Sequence, residues 1–169
     1  MKMTKKNNII LTHVEIQHKI KRIAYQIYES NVDESEIILA GIADNGYVLA
    51  KKLKTELGKI SDLTPILCKV IIDKTQPRNL ILTSISENDY TNKSVVLIDD
   101  VLNSGTTLIY AVKHFLNVPL KRFKTAVLVN RNHKKYPVKA DFKGISLSTS
   151  INEHVRVVFE DNKFEAILE

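Results

Sequence analysis

Residues 94–107, Ser-Val-Val-Leu-Ile-Asp-Asp-Val-Leu-Asn-Ser-Gly-Thr-Thr, constrain the fold of this chain more than any other stretch. Val95 to Ile98 is a short continuous apolar run, which predicts a buried strand. The run stops at two adjacent carboxylates, Asp99 and Asp100, and a polar turn from Asn103 to Thr107 opens a helix over roughly Thr106 to Phe115. Backbone N–H groups in such a turn have no intrahelical partner, and the helix dipole adds positive potential. Together with the hydroxyls of Ser104, Thr106 and Thr107 they suit a phosphate. Gly105 places no side chain in the way of the anion. Carboxylates accept hydrogen bonds from hydroxyls such as a ribose diol. The two halves therefore describe a pocket for a sugar phosphate, in which Asp99 and Asp100 also help to hold Mg²⁺ through the substrate's own oxygens.

The remaining pattern supplies a frame for that pocket. Thr12 and Glu15 form a capping box, and Ile16, Ile20, Ile23 and Ile27 recur at helical spacing, so a first helix is expected to end near Ser30-Asn31. Glu36 to Ile42 reads as a buried strand that stops in Ala-Asp-Asn-Gly. Tyr47 to Leu57 returns to helical period, with Gly58 as a stop signal. Pro65–Asp73 and Leu80–Ser86 read as strands of a hairpin joined through residues 74–79. Further strands are expected at 123–130, 138–147, 155–159 and 163–168. Strands alternating with helices predict an α/β fold with a mostly parallel central sheet flanked by helices. In such sheets ligands sit beyond the carboxyl ends of the strands, where both 41–46 and 99–107 fall.

A length of 169 residues suits one domain, and 44% apolar with 26% charged residues is ordinary for a soluble globular protein. The single cysteine, Cys68, lies in a strand-like run and reads as an inert core thiol. It builds no disulfide framework, and no apolar run reaches a membrane span or a signal peptide, so a cytoplasmic location is expected. Lys2, Lys5 and Lys6 read as a solvated tail. The net charge of +6 favours anionic partners, and charge alone leaves nucleic acid and phosphorylated small molecules both open.

Two other nucleotide-binding patterns fail on the letters. A P-loop needs Gly-x-x-x-x-Gly-Lys-Ser/Thr, and Gly41 to Gly46 is followed by Tyr47 and Val48. A phospho-acceptor receiver domain would carry its acidic pair near the start of the chain. The five histidines show no metal-ligand spacing beyond the proximity of His13 and His18.

Segment 95–107 closely resembles the phosphoribosyl pyrophosphate (PRPP) signature of type I phosphoribosyltransferases. Val129 to Phe142 resembles a segment of the pyrimidine-operon attenuation regulators within that family, which are also uracil phosphoribosyltransferases. The resemblance implies a single domain over 1–169, with a core of about 9–130 and hood-forming strands in about 131–169. It implies that Asp99 and Asp100 bind the ribose hydroxyls and that Asn103, Ser104, Gly105, Thr106 and Thr107 bind the 5′-phosphate. Ala43, Asp44, Asn45 and Gly46 would face pyrophosphate. Asn130, Arg131, Phe142 and Lys143 would form the hood over the base, with Phe142 as a stacking ring. Mg²⁺ as cofactor and a homodimer or higher oligomer are also implied.

Three departures from the family pattern bear on activity. Asp44 and Asn45 stand where the pyrophosphate loop commonly carries Arg or Lys. Only residues 74–79 occupy the place of a long catalytic lid, leaving Lys74 and Arg78 as catalytic candidates. Asn103 and Asn130 replace an acid and a lysine of the 6-oxopurine transferases, which favours a pyrimidine acceptor. The leading expectation is transfer of the 5-phosphoribosyl group to a nucleobase with release of pyrophosphate. The alternative is a PRPP- or nucleotide-sensing regulator with reduced catalysis that binds RNA, to which Lys51, Lys52, Lys54 and Lys59 would contribute a basic face.

Overall fold

The computed structural model describes residues 8–169, so the expected tail at Lys2, Lys5 and Lys6 lies outside the described residues. The chain runs β1 (Asn8–Leu11), α1 (His13–Ser30), β2 (Glu36–Ile42), α2 (Asn45–Ile60), β3 (Thr64–Ile71), β4 (Leu82–Thr83) and α3 (Glu87–Tyr90). It continues through β5 (Ser94–Leu102), α4 (Thr106–Phe115), β6 (Arg122–Arg131), β7 (Phe142–Leu147), β8 (Val155–Glu160) and β9 (Lys163–Leu168). A six-stranded sheet has the order β4-β3-β2-β5-β6-β7 and is parallel except for β4. A second, antiparallel sheet has the order β1-β9-β8.

Burial on both faces explains the unbroken apolar strands. In β2, Ile37 and Leu39 join a core cluster with Ile16, Ile23 and Ile27 of α1 and Leu49 and Leu53 of α2. Ile38, Ala40 and Ile42 point into a second cluster with Tyr90, Leu108, Ala111 and Phe115. Thr12 caps α1 as expected, with the Glu15 carboxylate accepting from the Thr12 N–H at 2.8 Å. Beyond β2 the chain crosses to β3 on one side, and β5 lies on the other. The strand order therefore reverses between β2 and β5, and a crevice opens at their carboxyl ends.

Several boundaries differ from expectation. Strand β7 belongs to the large sheet, and Asn8–Leu11 pairs with β9 in the small one, so the two sheets do not divide near residue 130. Pairing between the two ends of the chain leaves no local periodicity, so the short β1 carries no strand signal in its own sequence. Helix α2 runs through Gly58, where an added Cβ would meet open space, and ends where the Ser61 hydroxyl donates to the Leu57 carbonyl at 2.7 Å. The expected hairpin forms, but only Leu82 and Thr83 pair with β3. A capping box at Ser86 and Asp89 then starts the short α3, which buries Tyr90 completely.

Cys68 is fully buried, and burial pushes its thiol up to about 11. A thiolate-specific reagent at pH 8 is expected to leave the native protein unlabelled and to label one thiol after unfolding. Among the described residues, no helix is long and apolar enough to cross a membrane.

Candidate active site

The crevice at the β2/β5 switch point is built around the end of β5. Asp99 is 5% exposed, and its Oδ1 accepts from the Asp100 N–H at 2.9 Å. Asp100 Oδ1 accepts from the Val101 N–H at 2.9 Å. Burial, and then the charge of Asp100, hold the Asp99 carboxyl well above the usual carboxylate range, while Lys74 pulls in the opposite direction. A cation or hydroxyl donors arriving at this pair would favour its ionised form.

The start of α2 is pressed onto that strand end. A Cβ on Gly46 would stand 2.6 Å from the Ile98 carbonyl oxygen and 3.0 Å from the Asp99 Cα. Only glycine allows this approach, and it brings Asn45 to the carboxylates. Asn45 Nδ2 donates to Asp100 Oδ2 at 3.0 Å and to the Val157 carbonyl of β8 at 2.8 Å. One amide thus ties the loop after β2, the acidic pair and the small sheet together.

The turn at 103–107 has the form required of an anion cradle. Gly105 is the N-cap of α4 at φ +85°, a left-handed conformation natural to glycine. A side chain there would also meet Val138 Cγ1 at 2.6 Å. The Ser104 and Thr106 hydroxyls lie 2.9 Å apart, and the Ser104 carbonyl accepts from the Lys135 N–H at 2.7 Å. The Gly105 N-cap has no side chain to cap the helix, and of the first-turn N–H groups that of Thr106 donates to Ser104 Oγ at 3.3 Å.

Cradle and carboxylates line one cavity of about 290 Å³, together with Asn45, Lys74, Val127 and, from β8, Val155, Arg156 and Val157. The Asp73 carboxylate organises the turn that carries Lys74, accepting from the Thr75 N–H at 2.9 Å and the Gln76 N–H at 3.1 Å. Those bonds, the Thr75 hydroxyl first, lower the Asp73 pKa.

Sequence and structure part company over the expected hood. Phe142 is buried in the core cluster on the α1 side of the large sheet, so it is no stacking ring for a base. Lys143 is exposed and its carbonyl accepts from Arg22 of α1 at 2.7 Å. Strand β7 pairs with β6 as a sheet member, which places both residues outside the cavity. Arg131 is 5% exposed, and each of its three nitrogens already donates to a protein partner. Its guanidinium donates to Asn103 Oδ1 at 3.0 Å, Thr149 Oγ1 at 2.7 Å and the Glu153 carbonyl at 2.5 Å, stapling the 103–107 turn to residues 149–153. Asn130 donates to Ser146 Oγ at 3.2 Å and keeps a buried Oδ1 without a partner among the described residues.

Of the pyrophosphate-loop residues, Asn45 lines the cavity, whereas Gly46 is buried beneath it and Ala43 and Asp44 stand outside its lining. Arg78 lies instead in a separate depression against Tyr110 and Lys113 of α4. The cavity wall from β8, with Arg156, was missed. Its one signal was an alternating Val-Arg-Val strand, and alternation does not say what the strand faces.

A carboxylate pair and a helix-opening turn rich in hydroxyls lie together at the switch point of a parallel sheet, where proteins of this class bind their ligands. A phosphoribosyl transferase domain model matches residues 6–162, and the chain belongs to that family. Its chemistry is the PRPP-dependent transfer of a phosphoribosyl group to a nucleobase. Among curated relatives, the bifunctional protein PyrR of Macrococcus caseolyticus is 32% identical over 162 residues, covering 90% of this chain and 92% of that protein. The PyrR of Streptococcus mutans serotype c is 33% identical over 172 residues, covering 96% of each. Among solved structures, the hypoxanthine phosphoribosyltransferase of Trypanosoma cruzi superposes with a TM-score of 0.75 at 18% identity, covering 95% of both chains. A hypoxanthine-guanine phosphoribosyltransferase of Bacillus anthracis gives 0.72 at 21% identity, over 84% of this chain and 83% of that one. These structures share the fold.

Proposed function

We propose that the protein transfers the 5-phosphoribosyl group of PRPP to a pyrimidine and releases pyrophosphate. The observation that carries this is the single cavity lined by both Asp99-Asp100 and the 103–107 turn. In this reading the carboxylates accept from the ribose hydroxyls and the turn binds the 5′-phosphate. Asn45, at the head of α2, faces the pyrophosphate. Lys74, a cationic side chain of the cavity wall, supplies positive charge toward the leaving group, whereas Arg156 in the same wall is paired with Glu169 at 2.8 Å. Displacement at C1 passes through a state with oxocarbenium character, so positioning and fixed charge account for most of the rate.

Mg²⁺ fits this donor set. Among the described residues, no group of three or more His, Cys, Asp or Glu side chains is placed to hold a metal. Two carboxylates suit an ion that retains waters and binds largely through substrate oxygens, as Mg²⁺ does. Asp99 and Asp100 would hold it, and it would neutralise phosphate charge.

The pyrimidine preference is supported by the neutral amide of Asn103 in the cavity lining; Asn130 lies outside that lining. Incubation with PRPP, Mg²⁺ and either uracil, cytosine, hypoxanthine or guanine, with pyrophosphate release as readout, tests the proposal. Release with a pyrimidine is expected; release with purines alone overturns the base assignment. PRPP binding without release for any base overturns catalysis. Lys74→Met is expected to lower kcat/KM by about 10–100-fold, the value of one hydrogen bond to a charged group at about 1.5–3 kcal/mol.

A sensing role that includes RNA is the second reading, supported by Lys51 and Lys54, both exposed on α2. RNA affinity that falls steeply with salt and depends on both lysines would support it. A cytoplasmic homo-oligomer is also proposed. Leu80 and Leu82, 82% and 53% exposed beside the β4 edge, are apolar surface that a second copy would cover. Sedimentation of the wild type against Leu80→Ser with Leu82→Ser tests this; unchanged mass in both would exclude that contact.

A further inference from the structure

The groove between α1 and α2 holds an arrangement that the transfer reaction does not use. It encloses about 670 Å³ and is lined by His18, Lys21 and Tyr25 from α1, Lys52 and Lys59 from α2, and Phe164 from β9. That is ample for a small ligand, since such sites run from about 300 to 1,000 Å³. We propose that this groove is a second phosphate-ester site, distinct from the Asp99–Asp100 cavity, which takes a nucleoside monophosphate and reports its presence to the active site.

One carboxylate, Glu56, is in the lining, and it already pairs with Lys59 at 3.0 Å. Among the described residues, neither Lys21 nor Lys52 forms a salt bridge. Lys52 is the telling residue. It is half-buried, with its Nζ 3.8 Å from the centroid of the Phe164 ring and 5.7 Å from that of Phe159. Burial first, and the neighbouring Lys51 second, lower its pKa. A solvated lysine face has no such feature: here a cation loses part of its water and gains ring faces but no anion. A phosphate in the groove would supply the missing counter-charge within reach of Lys21. Tyr25, 44% exposed at the rim, offers a ring on which a base can stack.

One groove wall, α2, starts at the active site, and another, β9, pairs with β8, which lines it. Helix α2 begins at Asn45, which donates to Asp100 and to β8, and Phe164 pairs in register with Phe159 of β8. A ligand bridging α1, α2 and β9 therefore touches α2 directly and reaches β8 through its pairing with β9. The nucleoside monophosphate is the product class of the proposed reaction, on which this inference rests, so the device amounts to product feedback. Coupling between two such sites is typically about 5–150-fold in affinity.

Calorimetric titration with uridine 5′-monophosphate should give two sites in the wild type. Asp99→Asn with Asp100→Asn should retain the groove site alone. Lys21→Gln with Lys52→Gln should retain the cavity site alone, with turnover unchanged at low nucleotide and feedback lost. Lys21→Gln alone, at an exposed position, should weaken the groove site about tenfold, so the result does not hang on the half-buried lysine. Inorganic phosphate is expected to compete only at much higher concentration. Equal affinity for phosphate overturns the nucleotide assignment. A single site, abolished by the aspartate pair and untouched by the lysine pair, overturns the groove. So does single-stranded RNA that binds through Lys21 and Lys52 when the mononucleotide does not. Absence of pyrophosphate release in the wild type would instead remove the transferase reading, while the stoichiometry still decides whether the groove binds.

Discussion

Replacing Asp99 and Asp100 together by asparagine is expected to weaken PRPP binding by about 100–10,000-fold while making the fold more stable at neutral pH. The loss follows from two carboxylates that each accept a charge-assisted hydrogen bond worth about 1.5–3 kcal/mol. The gain follows from the cost of burying Asp99 beside Asp100, which holds its carboxyl well above the usual range. The sign is set by linkage. In the unfolded chain the carboxyl titrates near about 3.9, below its folded value. Stability is therefore at its full value below about pH 4, declines as pH rises through the folded pKa, and stays reduced above it. The asparagine pair lacks that decline. Calorimetry with PRPP, and thermal unfolding from pH 4 to 8, check the two halves separately. Unchanged PRPP affinity would mean that the cavity is wrongly assigned. A wild-type midpoint that rises through this window, relative to the variant, would contradict the linkage.

Gly46→Ala should be nearly as damaging without removing a single polar group. Its Cβ would sit 2.6 Å from the Ile98 carbonyl oxygen, and neither that strand backbone nor the helix start yields cheaply. Overpacking of this kind costs about 1–3 kcal/mol. In a chain of this size that lowers Tm by about 2–12 °C. The larger effect is expected in catalysis. Moving α2 outward takes Asn45 from Asp100 and β8, and a displacement near 1 Å costs about 100-fold in kcat/KM. Gly58→Ala, on the same helix with open space around its Cβ, is the control and should be neutral or slightly stabilising. Wild-type turnover in Gly46→Ala would show that the contact between α2 and β5 does not set the site.

The contrast between those two glycines shows how far local pattern carries. Gly58 carries the composition of a stop signal, yet α2 runs through it, because burial of Leu53 and Leu57 outweighs the propensity cost of one glycine. Gly46 was legible as part of a ligand loop. That it is the contact surface between a helix start and Asp99 depends on β5, about fifty residues downstream. Phe142 and Lys143 fail for the same reason. Their segment resembles that of relatives, but its neighbours are set by parallel pairing with β6, which turns Phe142 into the core.

What residues 94–107 determined by themselves was an apolar strand, an acidic pair at its end and a glycine turn opening a helix. Each of these depends on groups a few residues apart, and such groups meet however the rest of the chain is arranged. Tertiary structure alone decided which remote groups complete the cavity. It brought in Asn45, Lys74 and Arg156 and withheld Arg78 and Phe142. It also spent Arg131 on a staple rather than on a base. Those outcomes rest on strand order and on pairings between distant segments, β1 with β9 and β8 with β9 among them. Long-range pairing is selected by total burial, a property of the whole chain that no local window contains.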